Sequence, residues 1–342
     1  MHRSSFLKQE LSMSDNHAAL LCAAVEDSDV QKVRRLVEQG AEVNAPNSRG
    51  ETPFLIASFY NRVDILRALV ELGADVNTAN ENGFTPVWVA AQEGHTDTIR
   101  ALAELEANID TSNIGGCTPV WVAALQGHTD TVNALAELGA DVNTPDKYGC
   151  SPVSVAAQEG YVDVIRVLAK FGANIHVADN EGYTPVWVAA QEGHLLTTRA
   201  LAVLGADVNV ANKDGCSLVS AAAQEGHVDV IRALAEFGAN VLRADNEGFT
   251  PVWVAAHNND VLTIRALVGL GADINVFNDG LRTPVVVAAQ EGHMASVRAL
   301  VDCGADINVL AGNVKPVCFS AGNCHEDVVL YLVSVGLMWL NC

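Results

Sequence analysis

Apolar and polar positions follow one another along most of the chain in a repeating order that predicts pairs of short helices. In residues 80–112, two sets of apolar residues are spaced three and four positions apart, as on the buried face of a helix. The first set is Val87, Ala90 and Ala91, and the second set is Ile99, Leu102 and Ala103. Each set is short, so the pattern predicts two short helices that each bury one face.

Polar residues and glycines mark where these helices begin and end. Thr85 has a hydroxyl that caps a helix start, and Pro86 follows at the first helical position, where no N–H is needed. Gly94 supplies the left-handed residue that ends the first helix, and the second helix begins at about Asp97. A turn at Gly83 and a polar Asn/Asp connector then return the chain to the next helix pair.

The same arrangement recurs every 33 residues. Thr-Pro or a close relative of it begins at residues 52, 85, 118, 151, 184, 250 and 283, and Ser217-Leu218 keeps the spacing. A fixed period of this length is typical of a solenoid, in which each unit buries its apolar face against the next unit. We therefore expect one domain that grows by stacking, because a single compact core of 342 residues would be strained.

These residues resemble the ankyrin repeat, whose pattern D-x-x-G-x-T-P-L-H-x-A-A-x-x-G-H-x-x-x-V-x-x-L-L-x-x-G-A-D-V-N is matched copy after copy over roughly residues 17–342. The resemblance implies an all-α fold, a curved solenoid of about ten helix-turn-helix units with β-turn fingers and no further sheet. By analogy with the family, it also implies a protein that binds other proteins and is not an enzyme.

The period also divides the chain. Residues 1–14 lack the repeat and are expected to form a flexible N-terminal tail, whereas residues 15–342 form the repeat domain. Within that domain, residues 15–46 are a divergent capping repeat, residues 47–310 hold eight full repeats, and residues 311–342 are a C-terminal capping repeat.

The last repeat ends in the apolar-rich run VVLYLVSVGLMWLNC. Its 15 residues are too few to cross a bilayer, so we expect the second helix of a repeat rather than a membrane segment. Met338, Trp339 and Leu340 either fold over the last helix pair, form a partner site, or mark a longer array that has been cut short.

Four copies depart from the glycine pattern. Asn61 and Asn259 stand where the first helix is expected to end in Gly, and Asn is the next best residue for positive φ. Glu106 stands where the closing Gly of the second helix belongs, so its backbone is predicted to be strained. In copy nine the turn glycine, Gly280, comes one residue early, and we expect a distorted finger there.

Tryptophan follows Pro-Val in four copies, whereas two copies have serine at this position and phenylalanine before the closing glycine. The tryptophans are Trp88, Trp121, Trp187 and Trp253; the serines are Ser154 and Ser220; the phenylalanines are Phe171 and Phe237. Because a packed interior penalises both voids and overfilling, one interpretation is that the two positions fill one packing slot. Duplication of a 66-residue block would produce the same exchange.

The charge balance favours a basic partner. The chain has 41 acidic and 20 basic side chains and a formal net charge of -21. Such a charge repels nucleic acid and anionic membrane surfaces. We therefore expect the partner to be another protein that has a basic or extended segment. We expect neither nucleic-acid binding nor membrane insertion.

The eight cysteines do not predict disulfides. Cys117 and Cys150 occupy equivalent positions in adjacent repeats and are expected to lie about 10 Å apart, whereas a disulfide needs Cα atoms within about 7 Å. The sequence also contains no N-glycosylation sequon and no signal-peptide pattern. These features favour a reducing, cytoplasmic location, with the nucleus as the alternative.

No motif predicts catalysis, a cofactor or a metal. The chain has no GxxxxGK[ST], HExxH or GxSxG sequence. Cys318, Cys324 and His325 are the only local group of soft ligands, but the C-x5-C spacing and the missing fourth ligand argue against zinc. Five histidines recur at the repeat period and are interpreted as structural residues at the start of the second helix: His95, His128, His194, His227 and His293.

In the ankyrin family, partners usually dock on a concave face made by the turn tips and the ends of the first helices. Carried over by position, the candidate partner-binding residues are Phe59, Tyr60, Glu81, Asn82, Phe84, Gln92, Glu93, Tyr148, Gln158, Glu159, Glu181, Tyr183, Gln191, Glu192, Glu225, Glu247 and Phe249. Recurring Gln-Glu pairs would place carboxylates along this face with aromatic anchors between them. This arrangement suits a peptide that carries Lys or Arg.

Two functional hypotheses follow, a scaffold or adaptor that binds a partner on this acidic face, and a regulatory or targeting subunit of an enzyme complex. An enzyme with an unrecognised site is a third and weaker hypothesis. The Gln-Glu pairs also have a simpler explanation: they are exposed residues of an ancestral copy that duplication has multiplied.

Overall fold

The computed structural model of the chain describes residues 17–312 and 314–340, with side chains up to residue 336. The chain forms two compact units, Met1–Asn174 (unit 1) and Ile175–Cys342 (unit 2). The expected tail at residues 1–14 lies outside the described residues, and so do the side chains of Met338, Trp339 and Leu340.

Both units consist of paired helices. In unit 1 the helices are α1 (17–26), α2 (Val30–Glu38), α3 (Pro53–Phe59), α4 (Val63–Glu71), α5 (Pro86–Gln92), α6 (Thr96–Glu104), α7 (Pro119–Leu125), α8 (Thr129–Glu137), α9 (Pro152–Gln158) and α10 (Val162–Lys170). In unit 2 they are α11 (Pro185–Gln191), α12 (Leu195–Val203), α13 (Leu218–Gln224), α14 (Val228–Glu236), α15 (Pro251–His257), α16 (Val261–Gly269), α17 (Pro284–Gln290), α18 (Met294–Asp302), α19 (Pro316–Gly322) and α20 (Glu326–Leu340).

The predicted all-α fold of about ten helix-turn-helix units is confirmed. Within the described residues, the pairing of extended backbone is limited to two isolated bridges, Ala211 with Ser217 and Ala311 with Val314. None of the helices in this part of the chain combines the length and the apolar character that a bilayer crossing requires.

Most of the first helices begin as the sequence predicts. Thr85 has extended backbone, its side chain accepts a hydrogen bond from the backbone N–H of Trp88, and Pro86 occupies the first helical position. Ser217 caps α13 in the same way by accepting from the N–H of Ser220, although Leu218 replaces the proline. The hydroxyl alone therefore preserves the helix start in that copy.

The first helices form the centre of each unit because their alanines allow close packing. Ala90 and Ala91 of α5 are completely buried, and so are Ala222 and Ala223 of α13. Within unit 1, α5 packs against α3, α7 and its own partner α6; within unit 2, α13 packs against α11, α15 and its partner α14. Side chains this small let helix axes approach closely without leaving voids.

Side chains of one repeat bind the backbone of the next. In unit 1, Oδ1 of Asn77 accepts a hydrogen bond of 2.8 Å from the backbone N–H of Asn108. In unit 2, Oδ1 of Asn209 accepts a bond of 2.8 Å from the N–H of Asn240. These bonds satisfy backbone donors in the connectors, which have no helix or sheet to pair with.

The finger of copy nine is distorted, as expected, but only in part. Leu281, rather than Gly280, has the left-handed φ of 57° that the turn requires. The turn keeps its backbone bond of 2.9 Å from Leu281 N–H to the carbonyl of Asn278. Thr283 makes no capping bond at the start of α17, and its Oγ1 and the Nε1 of Trp253 are both buried without a hydrogen-bond partner. The displaced glycine is therefore accompanied by the loss of hydrogen bonds at these two side chains.

Candidate partner-binding site

The fingers hold their tip residues away from the core. In copy three, Oδ1 of Asn80 accepts hydrogen bonds of 3.0 Å from the backbone N–H groups of Asn82 and Phe84, and Gly83 takes a φ of 79°. This short loop leaves Glu81 and Asn82 exposed. Aspartate has the role of Asn80 in the fingers of unit 2 that carry Glu181 and Glu247, and both of these glutamates are exposed as well.

The predicted Gln-Glu pairs lie at the ends of the first helices. Glu93 and Glu159 are the residues that follow α5 and α9 in unit 1, and Glu192 and Glu225 follow α11 and α13 in unit 2. A carboxylate at this end is disfavoured by the exposed helix carbonyls. The adjacent glutamines Gln92, Gln158 and Gln191 are half-buried or exposed.

A cavity of about 380 Å³ gathers four of the predicted residues in unit 1. These four are Phe59, Tyr60, Phe84 and Gln92. The cavity also contains further residues: Leu55, Ile56 and Val89 add apolar surface, and Glu26, Arg49, Glu51 and Asn80 add polar groups. The cavity therefore combines an apolar interior with a charged edge.

Two aromatic rings stand at this cavity with much of their surface in solvent. Phe59 is 43% exposed and Tyr60 is 42% exposed. Their rings meet edge to face, with centroids 5.0 Å apart and planes at 87°. Rigid aromatic side chains that are already held by each other lose little conformational freedom when a partner covers them.

Ion pairs at the edge of the cavity leave it net negative. The guanidinium of Arg49 lies 3.3 Å from a carboxylate oxygen of Glu51 and 3.9 Å from one of Glu26. One cation thus faces two carboxylates. The same two carboxylates affect the thiol of Cys22: burial raises its pKa to about 11, and Glu26 and Glu51 add to the effect.

Three of the predicted aromatic anchors are largely used within their own repeats. Phe84 stacks on Trp88 with ring centroids 4.0 Å apart, Tyr183 on Trp187 at 4.3 Å, and Phe249 lies on Trp253 at 4.2 Å. All three rings are half-buried rather than exposed. Their contribution to a binding surface is therefore smaller than the sequence suggested.

The structure places the remaining predicted residues outside this cavity. In unit 1, Tyr148 is 64% exposed, with the ammonium of Lys147 5.0 Å from its ring centre, and Glu159 is exposed at the end of α9. In unit 2, the predicted residues are Glu181, Tyr183, Gln191, Glu192, Glu225, Glu247 and Phe249, on the fingers and first-helix ends of copies six to eight.

The tryptophans do not share a buried slot with the residue before the closing glycine. Trp187 is 4% exposed, and its Nε1 donates a hydrogen bond of 3.2 Å to the carbonyl of Cys216 in the next finger. Leu204, by contrast, is 42% exposed at the end of α12. This difference in burial argues against one shared slot, and duplication of a 66-residue block stays an interpretation of the exchange.

The periodic histidines hold adjacent repeats together. Nε2 of His128, at the start of α8, donates to the carbonyl of Gln92, 3.0 Å away. The ring of the same histidine fills the space beside Gly94, where a Cβ would come within 2.7 Å of Nδ1. In unit 2, Nε2 of His293 donates to the carbonyl of His257, 2.8 Å away. The structural interpretation of these histidines is confirmed.

The cysteines that the structure describes are free thiols. Cys318 and Cys324 are exposed, while Cys22 is buried. Over residues 17–312 and 314–340, no three His, Cys, Asp or Glu side chains come together as metal ligands would.

Comparison with known proteins identifies the repeat. The family model for ankyrin repeats in three copies matches residues 4–80, 73–146, 139–212 and 187–278, and the model for a single ankyrin repeat matches residues 281–311. The crystal structure of the human ASB11 ankyrin repeat domain is similar at 26% sequence identity and a TM-score of 0.60, over 65% of this chain and 99% of that one. No curated protein matches the chain.

Proposed function

Because the chain belongs to the ankyrin repeat family, we propose that it is a non-catalytic scaffold or adaptor that binds a partner protein at the cavity around Phe59 and Tyr60. The observation that carries the proposal is the pair of exposed aromatic rings beside an apolar cavity of about 380 Å³. Exposed aromatic residues next to a pocket are typical of the residues that dominate binding energy at protein interfaces.

The charges at the cavity favour a partner segment that carries Lys or Arg next to an apolar side chain. Glu26 and Glu51 exceed the single positive charge of Arg49 there, and Glu81 and Glu93 lie on the neighbouring finger and helix end. In this proposal, the apolar side chain enters the cavity and the basic side chain meets the carboxylates. The acidic groups mainly accelerate and orient the encounter, whereas the aromatic contacts hold the complex.

Crosslinking in cells followed by mass spectrometry identifies the partners, and each partner is then titrated in purified form. We expect Phe59→Ala/Tyr60→Ala to weaken binding at least ~10-fold, since removal of a central aromatic residue commonly costs about 2 kcal/mol or more. Phe277→Ala is the matched control, because Phe277 is 41% exposed in unit 2 and lies outside the cavity. Equal affinity for the double variant and the control would contradict the proposal.

The dependence on salt tests the acidic character separately. Affinity should fall when the salt concentration rises from ~50 to ~500 mM, because the screening length shortens to a few ångströms. Recovery of a single catalytic protein, instead of several unrelated partners, would favour the alternative of a regulatory or targeting subunit.

A further inference from the structure

The second helices carry a regular row of ion pairs between adjacent repeats. In unit 1, Arg67 reaches Glu104 at 2.6 Å and Arg100 reaches Glu137 at 3.0 Å. In unit 2, the pairs are Arg199 with Glu236 at 2.7 Å and Arg265 with Asp302 at 3.1 Å. In each pair the arginine comes from the middle of one second helix, and the carboxylate from the last residue of the next second helix.

Gly269 interrupts this row in unit 2. It is the last residue of α16, where α6, α8, α14 and α18 have Glu or Asp, whereas α10 and α12 end in Lys170 and Val203. Arg232, the arginine that would pair with a carboxylate there, instead lies 3.6 Å from Asp229 of its own helix, which is longer than a hydrogen bond. The adjacent repeat therefore offers Arg232 no carboxylate at this position.

A hollow of about 570 Å³ lies where the carboxylate is missing. It is bordered by Arg232 and Glu236 of α14, and by Arg265, Gly269 and Leu270 on the side of α16. Glu236 is engaged by Arg199, whose hydrogen bond lowers the pKa of that carboxyl below its ordinary value. Two guanidinium groups thus line a space whose own carboxylate, Glu236, is held by Arg199. Arg265 pairs with Asp302, and Arg232 has only the 3.6 Å contact with Asp229 of its own helix.

A second change in α16 also replaces an acidic residue. Leu262 stands at the second residue of α16, where α4, α6, α8, α10 and α14 have Asp, and it is 72% exposed. Leu270 follows the other end of the helix and is 36% exposed. The segment from residue 261 to 270 therefore has one arginine, no acid and two accessible leucines, in a chain of net charge -21.

Arg298, the next arginine along the row, shows what an arginine contacts when the carboxylate is missing. Arg298 of α18 would meet residue 334, which is Ser334 because the last repeat is one residue shorter, and its guanidinium instead lies 4.9 Å from the ring centre of Tyr331. An aromatic face is a favourable substitute for a carboxylate next to a guanidinium. Arg232 has no such ring contact among the described residues, so its surface remains open to another molecule.

We propose that the surface formed by α14 and α16, which we call the arginine hollow, binds an acidic segment of a partner protein. A carboxylate of that segment takes the place that Glu or Asp occupies at the end of α6, α8, α14 and α18, and it pairs with Arg232. Apolar side chains beside it cover Leu262 and Leu270, which lie about 12 Å apart at 1.5 Å per helical residue. Arginine suits this role because its planar fork binds carboxylates with two hydrogen bonds.

This surface differs from the cavity around Phe59 and Tyr60 in both location and charge preference. The cavity lies in unit 1 and favours basic segments, whereas the arginine hollow lies in unit 2 and favours acidic ones. The two proposals therefore stand or fall separately.

The test uses random peptides displayed on phage, selected on the full chain and counter-selected on the Gly269→Glu variant. The carboxylate introduced by this substitution would rebuild the missing ion pair with Arg232 and occupy the hollow. We expect the surviving peptides to contain Asp or Glu next to Leu or Ile. Their affinity should fall at least ~10-fold on Gly269→Glu and on Arg232→Ala, since a charge-assisted hydrogen bond commonly contributes that much.

Two control variants make the result specific. Ala295→Asp adds the same negative charge at an exposed position of α18 and should leave binding of these peptides unchanged. Phe59→Ala/Tyr60→Ala should also leave it unchanged, because it alters only the cavity in unit 1. Thermal unfolding establishes that Gly269→Glu is folded. Recovery of no peptide specific to the unmodified chain, or of peptides that lack an acid, would overturn the proposal.

Discussion

At the scale of single residues, the repeat depends on backbone positions that only a few residue types occupy without strain. Asn61 and Asn259 take φ of 56°, and each also accepts a hydrogen bond at Oδ1, from Thr98 at 2.6 Å and from Ser296 at 3.0 Å. The asparagines therefore replace glycine and add a bond to the next repeat. Glu106 also has a positive φ, and no such bond accompanies it.

Replacing Glu106 by glycine should stabilise unit 1. Glu106 has a φ of 63°, which costs a residue with a Cβ more than it costs glycine. We expect Glu106→Gly to raise the free energy of unfolding by up to about 1 kcal/mol, the greater freedom of glycine in the unfolded chain offsetting part of the gain. Glu106→Ala removes the same carboxylate but keeps the strain, so it should give no such increase in a denaturant titration.

Leu281 offers a second test of backbone strain, in unit 2. Its φ is 57° and it is 55% exposed, so the side chain contributes little burial. Leu281→Gly should stabilise by about 1 kcal/mol. Leu310, which is 54% exposed, has no positive φ and is the matched control. A lower unfolding midpoint for Leu281→Gly than for Leu310→Gly would show that the turn is not strained.

Two thiols, the buried Cys22 and the half-buried Cys216, should make the protein sensitive to alkali. Burial raises the pKa of Cys22 and of Cys216 to about 11, above the ~8.5 of an unfolded cysteine. The thiol form is therefore favoured by folding, and its contribution to stability is complete below pH ~8.5 and is lost as the pH rises towards 11. The unfolding midpoint should fall less steeply over this range in Cys22→Ala/Cys216→Ala. Iodoacetamide at pH ~8 should label exposed Cys318 and Cys324 before Cys22.

At the scale of the helix pair, the tryptophans connect each first helix to the following finger. Nε1 of Trp88 donates to the carbonyl of Cys117 at 3.1 Å, and Nε1 of Trp121 to that of Cys150 at 2.9 Å. Trp253 lacks this bond because the finger of copy nine is altered. The same residue type therefore contributes differently in different copies.

This difference predicts unequal effects of one substitution. Trp121 and Trp253 are both half-buried, so replacement by Phe removes similar apolar surface from each. Trp121→Phe also breaks a hydrogen bond, whereas Trp253→Phe removes a buried donor that has no partner. We expect Trp121→Phe to cost about 1 kcal/mol more than Trp253→Phe in chemical denaturation. Equal costs would mean that the indole bond does not contribute to stability.

The helix pairs could be predicted from the sequence because each depends on local chemistry that recurs. Thr85, Pro86 and Gly94 define the ends of α5, and the spacing of the apolar residues defines its buried face. The cavity was only half predicted. Phe59 and Tyr60 follow from their position in the repeat, but Glu26 and Val89 come from other repeats and meet them only after packing.

Positions that depend on side-chain contacts were not predicted by the sequence analysis. Nothing in the local pattern of Phe84 indicates that its ring stacks on Trp88, because that depends on side-chain rotamers. The loss of the carboxylate at Gly269 is visible in the sequence, but its meaning becomes apparent only from the ion pairs of the other repeats.

At the scale of the whole molecule, the excess of negative charge is the dominant electrostatic feature. The chain has a net charge of -21, and its repeat-to-repeat ion pairs are exposed on the second helices. Exposed pairs contribute little to stability, whereas a net charge of this size repels itself in the folded state.

Salt should therefore stabilise the protein. Raising the NaCl concentration from ~10 to ~150 mM shortens the screening length from about 30 to about 8 Å and reduces the repulsion between carboxylates. We expect the thermal unfolding midpoint to rise over this range. A falling midpoint would mean that the arginine-carboxylate pairs contribute more than the repulsion removes.

In the hydrogen bonds that Asn77 and Asn209 accept, the donors are the backbone N–H groups of Asn108 and Asn240, so these bonds do not depend on which side chain the following copy carries there. Any copy with a regular connector is therefore an acceptable successor to any other. Unequal recombination that adds or deletes one complete copy creates a junction of the same kind as those it replaces. Evolution can thus lengthen or shorten such a gene stepwise without compensating mutations, and individual copies remain free to diverge.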